Sequence, residues 1–234
     1  MTHAGDAPAA LPELAAVPWR RRASAASLHA RGRWWTIFTT AYVAQWIVVA
    51  GVLIALEPRS APVAAVALAL AWIVPKLYAA RGAITLARDR WDGGPEAVAQ
   101  GFLGDLLGHE ERELQRTTGL AVERGRLGVW VVGEGGAVLL PPGGRRVHCM
   151  CVRTTDPELP PSDRVAHLLL ALRTDEEGFA TVANHVFSGA PWRLARRLDA
   201  SARPALAAAR RTAERLPDRR TPERTPAGLP AAEA

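Results

Sequence analysis

The sequence has little of what catalytic and metal-binding sites are usually built from. Its 234 residues include two cysteines, Cys149 and Cys151, and a single lysine, Lys76. In a reducing cytoplasm, we expect no disulfide framework from them. No nucleophile with a neighbouring base and no pair of carboxylates stands at the spacing of a known motif. We therefore expect no catalytic residue and no cofactor.

Charge is unevenly distributed along the chain. The net charge is +6, yet residues 91–190 hold nine Arg against 14 Asp and Glu, a net charge of −5. Residues 191–234 hold ten Arg against five acids. A nucleic-acid-binding domain would carry a basic face, so the acidic middle argues against a nucleic-acid partner. The basic ends suit anionic lipid headgroups.

Two long apolar runs are the most informative feature present. The first, residues 34–56, has no charged side chain. As a helix it would be about 34 Å long, enough to cross a hydrocarbon core of about 30 Å. The second runs from about Ala61 to Ala80 and contains Pro75 and Lys76. We interpret residues 34–80 as a two-helix transmembrane hairpin, with small residues such as Gly51 at the helix–helix contact.

The arginines predict how this hairpin is oriented. Five precede the first run (Arg20, Arg21, Arg22, Arg31 and Arg33), and Arg81, Arg88 and Arg90 follow the second. The connecting segment, residues 57–60, contains only Arg59. The positive-inside rule then places both termini in the cytoplasm and the protein in the inner or plasma membrane.

The rest of the chain divides around the hairpin. We expect a disordered basic segment over residues 1–33 and a disordered tail over residues 217–234. Residues 91–216 are predicted to form a small cytoplasmic α+β domain, an antiparallel sheet with flanking helices. A helix is expected from about Pro95 to Arg116. Three strands are expected where apolar runs alternate with Gly and Pro clusters: residues 127–132, 137–140 and 145–154.

Residues 163–187 fit two structures. Val165, Leu168 and Leu172 have helical spacing, and residues 174–177 resemble a capping box. The continuous apolar run 168–172, the turn-forming residues 175–178 and the β-branched and aromatic residues that follow instead indicate a β-hairpin. For residues 163–187 we favour the β-hairpin, which is followed by a basic helix that begins near Pro191.

One cluster, residues 148–151, has a metal-like composition. Cys149, Cys151 and His148 are candidate ligands for Zn or Cu(I). On a strand, however, both cysteines point to one face and His148 to the other, so His167 or His185 would have to complete the site. Buried cysteines usually behave as small apolar residues. A membrane-tethered metal- or redox-dependent enzyme or sensor is therefore the alternative function.

The layout of a two-span anchor, a small β domain and a closing helix resembles the bacterial PH-like membrane domains. The resemblance is carried by residues 168–173, the turn 175–178, residues 179–187 and the helix from Pro191. It implies a binding role, and fold analogy alone does not identify a ligand. We expect an anchor that presents a binding or regulatory module to a protein partner, a second copy or anionic lipid. The candidate lipid contacts are Arg193, Arg196, Arg197, Arg210 and Arg211.

Overall fold

A computed structural model describes residues 20–87, 93–152 and 158–217. The helices are α1 (Ala25–Leu56), α2 (Ala61–Ile84), α3 (Gly94–Asp105), α4 (His109–Thr118), α5 (Pro161–Thr174), α6 (Glu176–Val182), α7 (Pro191–Ala195) and α8 (Arg203–Arg215). The strands are β1 (Ala121–Arg124), β2 (Val129–Gly133), β3 (Gly136–Leu140), β4 (Val147–Cys151) and β5 (Asn184–Gly189). The predicted disorder of residues 1–19 and 218–234 lies outside the described residues.

Helices α1 and α2 form the long apolar hairpin. Ser24 caps α1, since its side chain accepts a hydrogen bond from the Ser27 backbone N–H while the Ser27 hydroxyl accepts one from the Ser24 N–H. A single 3-10 turn, Pro58–Ser60, reverses the chain. Its Ser60 hydroxyl donates to the Leu53 carbonyl. By length and composition, both helices could cross a membrane.

Both hairpin helices extend beyond the predicted limits of 34 and 80. Residues 25–33 of the basic segment belong to α1 and are continuous with its apolar part. The two helices contact each other through Ala50, Ala64 and Ala67. Gly51, which we expected at this contact, has open space beside it. The helix–helix contact therefore uses small residues, but it lies on a neighbouring face.

The five strands form one antiparallel sheet in the order β1-β2-β3-β4-β5. The three predicted strands are confirmed as β2, β3 and β4. Every residue of β2 and β3 is buried, because helices cover both faces of the sheet. Double coverage explains why their sequences are continuously apolar and do not alternate. The strand β1, which the sequence analysis did not identify, pairs with β2 at the sheet edge.

The two faces of the sheet support separate cores. On one face, Trp130, Leu139 and Met150 pack with apolar residues of α3, α5 and α6. On the other face, Val131, Val138 and other strand residues pack with α7, α8 and the end of α2. Because Leu28 of α1 joins the first core and Ala79 and Ala83 of α2 join the second, the apolar hairpin is part of the folded domain.

The preferred β-hairpin over residues 163–187 is wrong. Residues 161–174 and 176–182 are the helices α5 and α6, and only residues 184–189 form a strand. The apolar run 168–172 lies on a helix with Leu168, Leu169 and Leu172 buried and Leu170 partly exposed. The Asp175 carboxylate accepts a hydrogen bond from the Gly178 N–H and so caps α6, where a turn was expected.

The predicted helix from Pro95 to Arg116 is two helices. α3 ends at Asp105, and α4 begins after Gly108, whose carbonyl accepts from the Arg112 N–H. The Arg112 side chain donates back to the Gly104 carbonyl at 2.7 Å, which fixes the bend. Glycines at both sides of the bend weaken a continuous helix here, although the apolar periodicity continues through it.

A buried carboxylate fastens α6 to the sheet. Glu176 is 7% exposed, and its carboxylate accepts hydrogen bonds from the Arg126 and Leu127 N–H groups and from Trp130 Nε1, the last at 2.6 Å. Three donors compensate for burying the charge. Glu176 therefore holds the β1–β2 turn.

Candidate functional site

The candidate site is the junction where the hairpin meets the sheet, and two glycines allow the close approach. A Cβ added to Gly32 of α1 would lie 2.8 Å from Arg146 Cδ and 3.1 Å from His148 Cε1. A Cβ added to Gly82 of α2 would lie 2.9 Å from Phe187 Cβ. Real Cβ atoms essentially never come within 3.0 Å of another heavy atom, so a side chain at Gly32 or Gly82 would force Arg146 or Phe187 to shift.

Arg146 joins α1 to the sheet. It lies just before β4, and its Nη1 donates to the Gly32 carbonyl at 2.6 Å and to the Ser188 hydroxyl at 3.3 Å. Its Nη2 donates to the Thr36 hydroxyl at 2.9 Å. The planar guanidinium suits this fixed set of acceptors better than a lysine ammonium would. The last turn of α1 before the apolar run is thereby fixed to β4 and β5.

Two histidines form a pair inside the junction. Nδ1 of His148 on β4 lies 3.2 Å from Nε2 of His185 on β5, so one ring donates to the other. Burial has the largest effect; with the charge that His185 would carry if protonated and the charges of Arg146, Arg31 and His29, it lowers the pKa of His148 to about 3. Burial and Arg31 lower the pKa of His185 to about 4. Both rings are therefore neutral at physiological pH.

An aromatic cluster completes the contact between the two helices and the sheet. The Trp35 ring makes edge-to-face contacts with Tyr78, His185 and Phe187, with centroids 5.7, 5.5 and 6.3 Å away. Trp35 belongs to α1, Tyr78 to α2, and the other two to β5. Such pairs contribute about 0.5–1.5 kcal/mol each beyond the area they bury. Trp35 thus contacts all three elements at one point.

The structure separates the residues of the predicted metal cluster. Cys149 is fully buried in the core on the α2 side, beside Gly82, and burial raises the pKa of its thiol. A protonated thiol is a poor nucleophile and a poor metal ligand. His148 contacts His185, one of the two histidines considered as additional ligands. Within residues 20–87, 93–152 and 158–217, no three His, Cys, Asp or Glu side chains are grouped to hold a metal ion.

The five candidate lipid contacts lie in two places. Arg193, Arg196 and Arg197 lie on or just after α7, which packs beside α2. Arg193 donates to the Pro75 carbonyl of α2, and the Arg196 guanidinium lies over the Trp192 ring. The other two, Arg210 and Arg211, are exposed on α8, where Arg210 pairs with Glu214 at 2.8 Å.

The residues that make the junction were not predicted from the sequence. Gly32, Gly82 and Arg146 were not singled out, although each glycine follows an arginine at the inner end of an apolar run. That repeated Arg–Gly pair was the available signal.

No known protein family, curated protein or solved structure matches this chain.

Proposed function

We propose that this is an integral membrane protein whose hairpin anchors a sheet domain and fixes its orientation at the bilayer surface. The observation that supports it is the apolar surface that the hairpin leaves uncovered beyond the junction. Trp34, Trp72 and Leu56 are 68%, 65% and 80% exposed, and many aliphatic side chains around both helices are exposed with them. A soluble protein rarely exposes so large a continuous apolar surface, whereas hydrocarbon would cover it.

Interfacial residues support a membrane boundary near the junction. Trp35 and Tyr78 lie side by side on the two helices, and Lys76 Nζ lies 3.5 Å from the centre of the Trp72 ring. Tryptophan, tyrosine and lysine at helix ends are typical of the headgroup region. The arginines beside the junction favour a cytoplasmic domain and cytoplasmic termini, with residues 57–60 on the other side.

A binding role is the activity that we propose for the domain. The junction is built for fixed attachment, and among the described residues it contains neutral histidines and arginines whose hydrogen bonds go to structural acceptors. The partner is a protein or an anionic lipid.

The PH-like resemblance stays a prediction: the small antiparallel sheet is compatible with it, while the helices α5 and α6 count against it. Burial of Cys149 counts against the metal- or redox-dependent alternative.

Cysteine accessibility in intact cells tests this proposal. In a Cys149→Ser/Cys151→Ser background, Arg59→Cys reports on the hairpin tip, and Thr117→Cys, exposed on α4, reports on the domain. We expect a membrane-impermeant maleimide to label Arg59→Cys in intact cells and Thr117→Cys only after permeabilisation. The protein should also stay in the membrane pellet after alkaline extraction. Release of the protein from the membrane at high pH would contradict the proposal. Labelling of both Arg59→Cys and Thr117→Cys from the same side of the membrane would contradict it as well.

A further inference from the structure

The strand register places three connections at one end of the sheet. Arg124 pairs with Val129, Val129 pairs with Leu140, and Val147 pairs with Gly189. The β1–β2 turn, the β3–β4 turn and the start of α7 therefore lie at the same end, which we call the hairpin end. The opposite end carries the β2–β3 turn.

Both hairpin helices run along the sheet between its two ends, and their apolar parts extend beyond the hairpin end. α1 starts near β5's first residue, where Arg20 binds Asn184, and reaches Arg146 through Gly32 and Thr36 before its apolar part begins. The Pro75 carbonyl of α2 accepts from Arg193 at the same end. Farther along α2, Ile84 reaches Gly135 in the β2–β3 turn at the opposite end. The hairpin end therefore faces the membrane if the hairpin spans it.

Arginines are frequent in the three segments at this end, and the acids that approach these segments, Glu176, Glu177 and Glu214, belong to neighbouring helices. Residues 124–128, 141–146 and 190–198 contain seven arginines and no Asp or Glu, although residues 91–190 as a whole are acidic. Arg146 and Arg193 are used in the junction, and Arg126 lies 3.8 Å from Glu177. The remaining four are exposed and form what we call the arginine rim: Arg124, Arg145, Arg196 and Arg197.

We propose that the arginine rim is a docking surface for an anionic phospholipid leaflet, an inference that rests on the proposed membrane anchor. The rim lies on the side of the domain from which the apolar helices leave, so its charges face the headgroups. Trp192, which is 54% exposed beside Arg196, supplies the amphipathic side chain typical of that region. Phosphate groups of the lipids accept hydrogen bonds from guanidinium groups in bidentate geometry.

Hydrogen exchange of the full-length protein in nanodiscs tests this surface. Discs of phosphatidylcholine alone are compared with discs that also contain phosphatidylglycerol, at low and high salt. We expect the amides of residues 124–128, 143–146 and 192–198 to exchange more slowly in the anionic discs, with the difference lost at high salt. Each rim arginine replaced should lower this added protection about fivefold, which corresponds to about 1 kcal/mol per basic residue near an anionic surface.

The variants are Arg145→Gln and Arg197→Gln, singly and together. Arg116→Gln is the matched control, because Arg116 is exposed near the end of α4, which leads into β1 at the opposite end of the sheet. We expect the control to keep the added protection and the double variant to lose it. Equal exchange in both kinds of disc, or variants that behave like the control, would overturn the docking surface.

Two other results separate the possible failures. If alkaline extraction releases the protein from membranes, the proposed function itself fails. If the protein stays in the membrane but the three segments are protected in native membranes and not in purified anionic discs, the rim binds a protein partner and the lipid inference is wrong.

Discussion

The buried histidine pair makes the stability of the junction depend on pH. His148 and His185 have pKa values of about 3 and about 4 in the folded protein, against an ordinary value near 6.5. Below about pH 6.5, the unfolded chain binds protons at these two positions while the folded protein does not. The contribution of the two neutral histidines to the free energy of unfolding is therefore fully present at neutral pH and falls as the pH is lowered.

The size of the effect follows from linkage. At pH 5 the difference of about 1.5 pH units from the ordinary pKa corresponds to about 2 kcal/mol for each histidine, since one unit is about 1.4 kcal/mol. The loss continues until the folded-state pKa values are reached. Because the two rings are in contact and titrate as a pair, the two contributions together amount to about 4 kcal/mol at this pH. Arg31, Arg146 and His29 oppose any added proton.

Denaturant unfolding in detergent micelles or nanodiscs at about pH 7.5 and about pH 5 measures this loss. Carboxylates also titrate toward acid pH, so the informative quantity is the difference between the wild type and variants. We expect His185→Gln to remove about 2 kcal/mol of the pH dependence and His148→Gln/His185→Gln to remove most of it. The control His109→Gln changes an exposed residue at the start of α4 and should keep the wild-type dependence.

If the double variant and the wild type lose the same free energy between the two pH values, the pair is not buried at a tight junction. Should the double variant fail to fold, the single variant and direct NMR titration of the two imidazoles decide the question. Rings that titrate near pH 6.5 in the folded protein contradict the reasoning.

Further predictions concern the glycines and the buried carboxylate. Gly82→Ala should lower the melting temperature by several degrees, because overpacking against Phe187 costs about 1–3 kcal/mol and exceeds the helix-propensity gain of about 1 kcal/mol. The control Gly101→Ala, with open space on α3, should raise it, and equal signs for the two would contradict close docking of α2. Glu176→Gln should cost about 1–3 kcal/mol because an amide cannot accept all three hydrogen bonds, whereas Glu177→Gln should change the free energy of unfolding by less than about 0.5 kcal/mol.

Local composition predicted the parts of the fold whose environment is uniform. The hairpin helices are apolar on all sides, and β2 and β3 are buried on both faces, so each appears in the sequence as an uninterrupted apolar run. The same property caused the error at residues 168–172, since a buried helix and a doubly covered strand can share such a run. Short edge strands such as β1 bury too little of themselves to leave a pattern.

The junction could not be predicted because its contacts join distant parts of the chain. Arg146 and Gly32 are 114 residues apart, and a hydrogen bond to a backbone carbonyl leaves no signature in either local sequence. His148 was identified for its neighbours in sequence, Cys149 and Cys151, but its contact is His185 on the adjacent strand. Alternation along β4 correctly separated His148 from Cys149, and only the sheet register could bring His185 beside it.

The way in which the hairpin enters the domain determines what motions remain. α1 and α2 continue from the apolar hairpin into the two cores without an intervening linker, so the sheet domain cannot swivel relative to the hairpin. Sliding α2 by one turn, about 5.4 Å, would break the Arg193–Pro75 contact and force a residue with a Cβ against Phe187, where only Gly82 fits. A rotation of α1 would likewise remove Gly32 from Arg146 and His148. The hairpin and the sheet must therefore move together, so a hairpin that spans a membrane, as we propose, would hold the arginine rim at a fixed height above the headgroups.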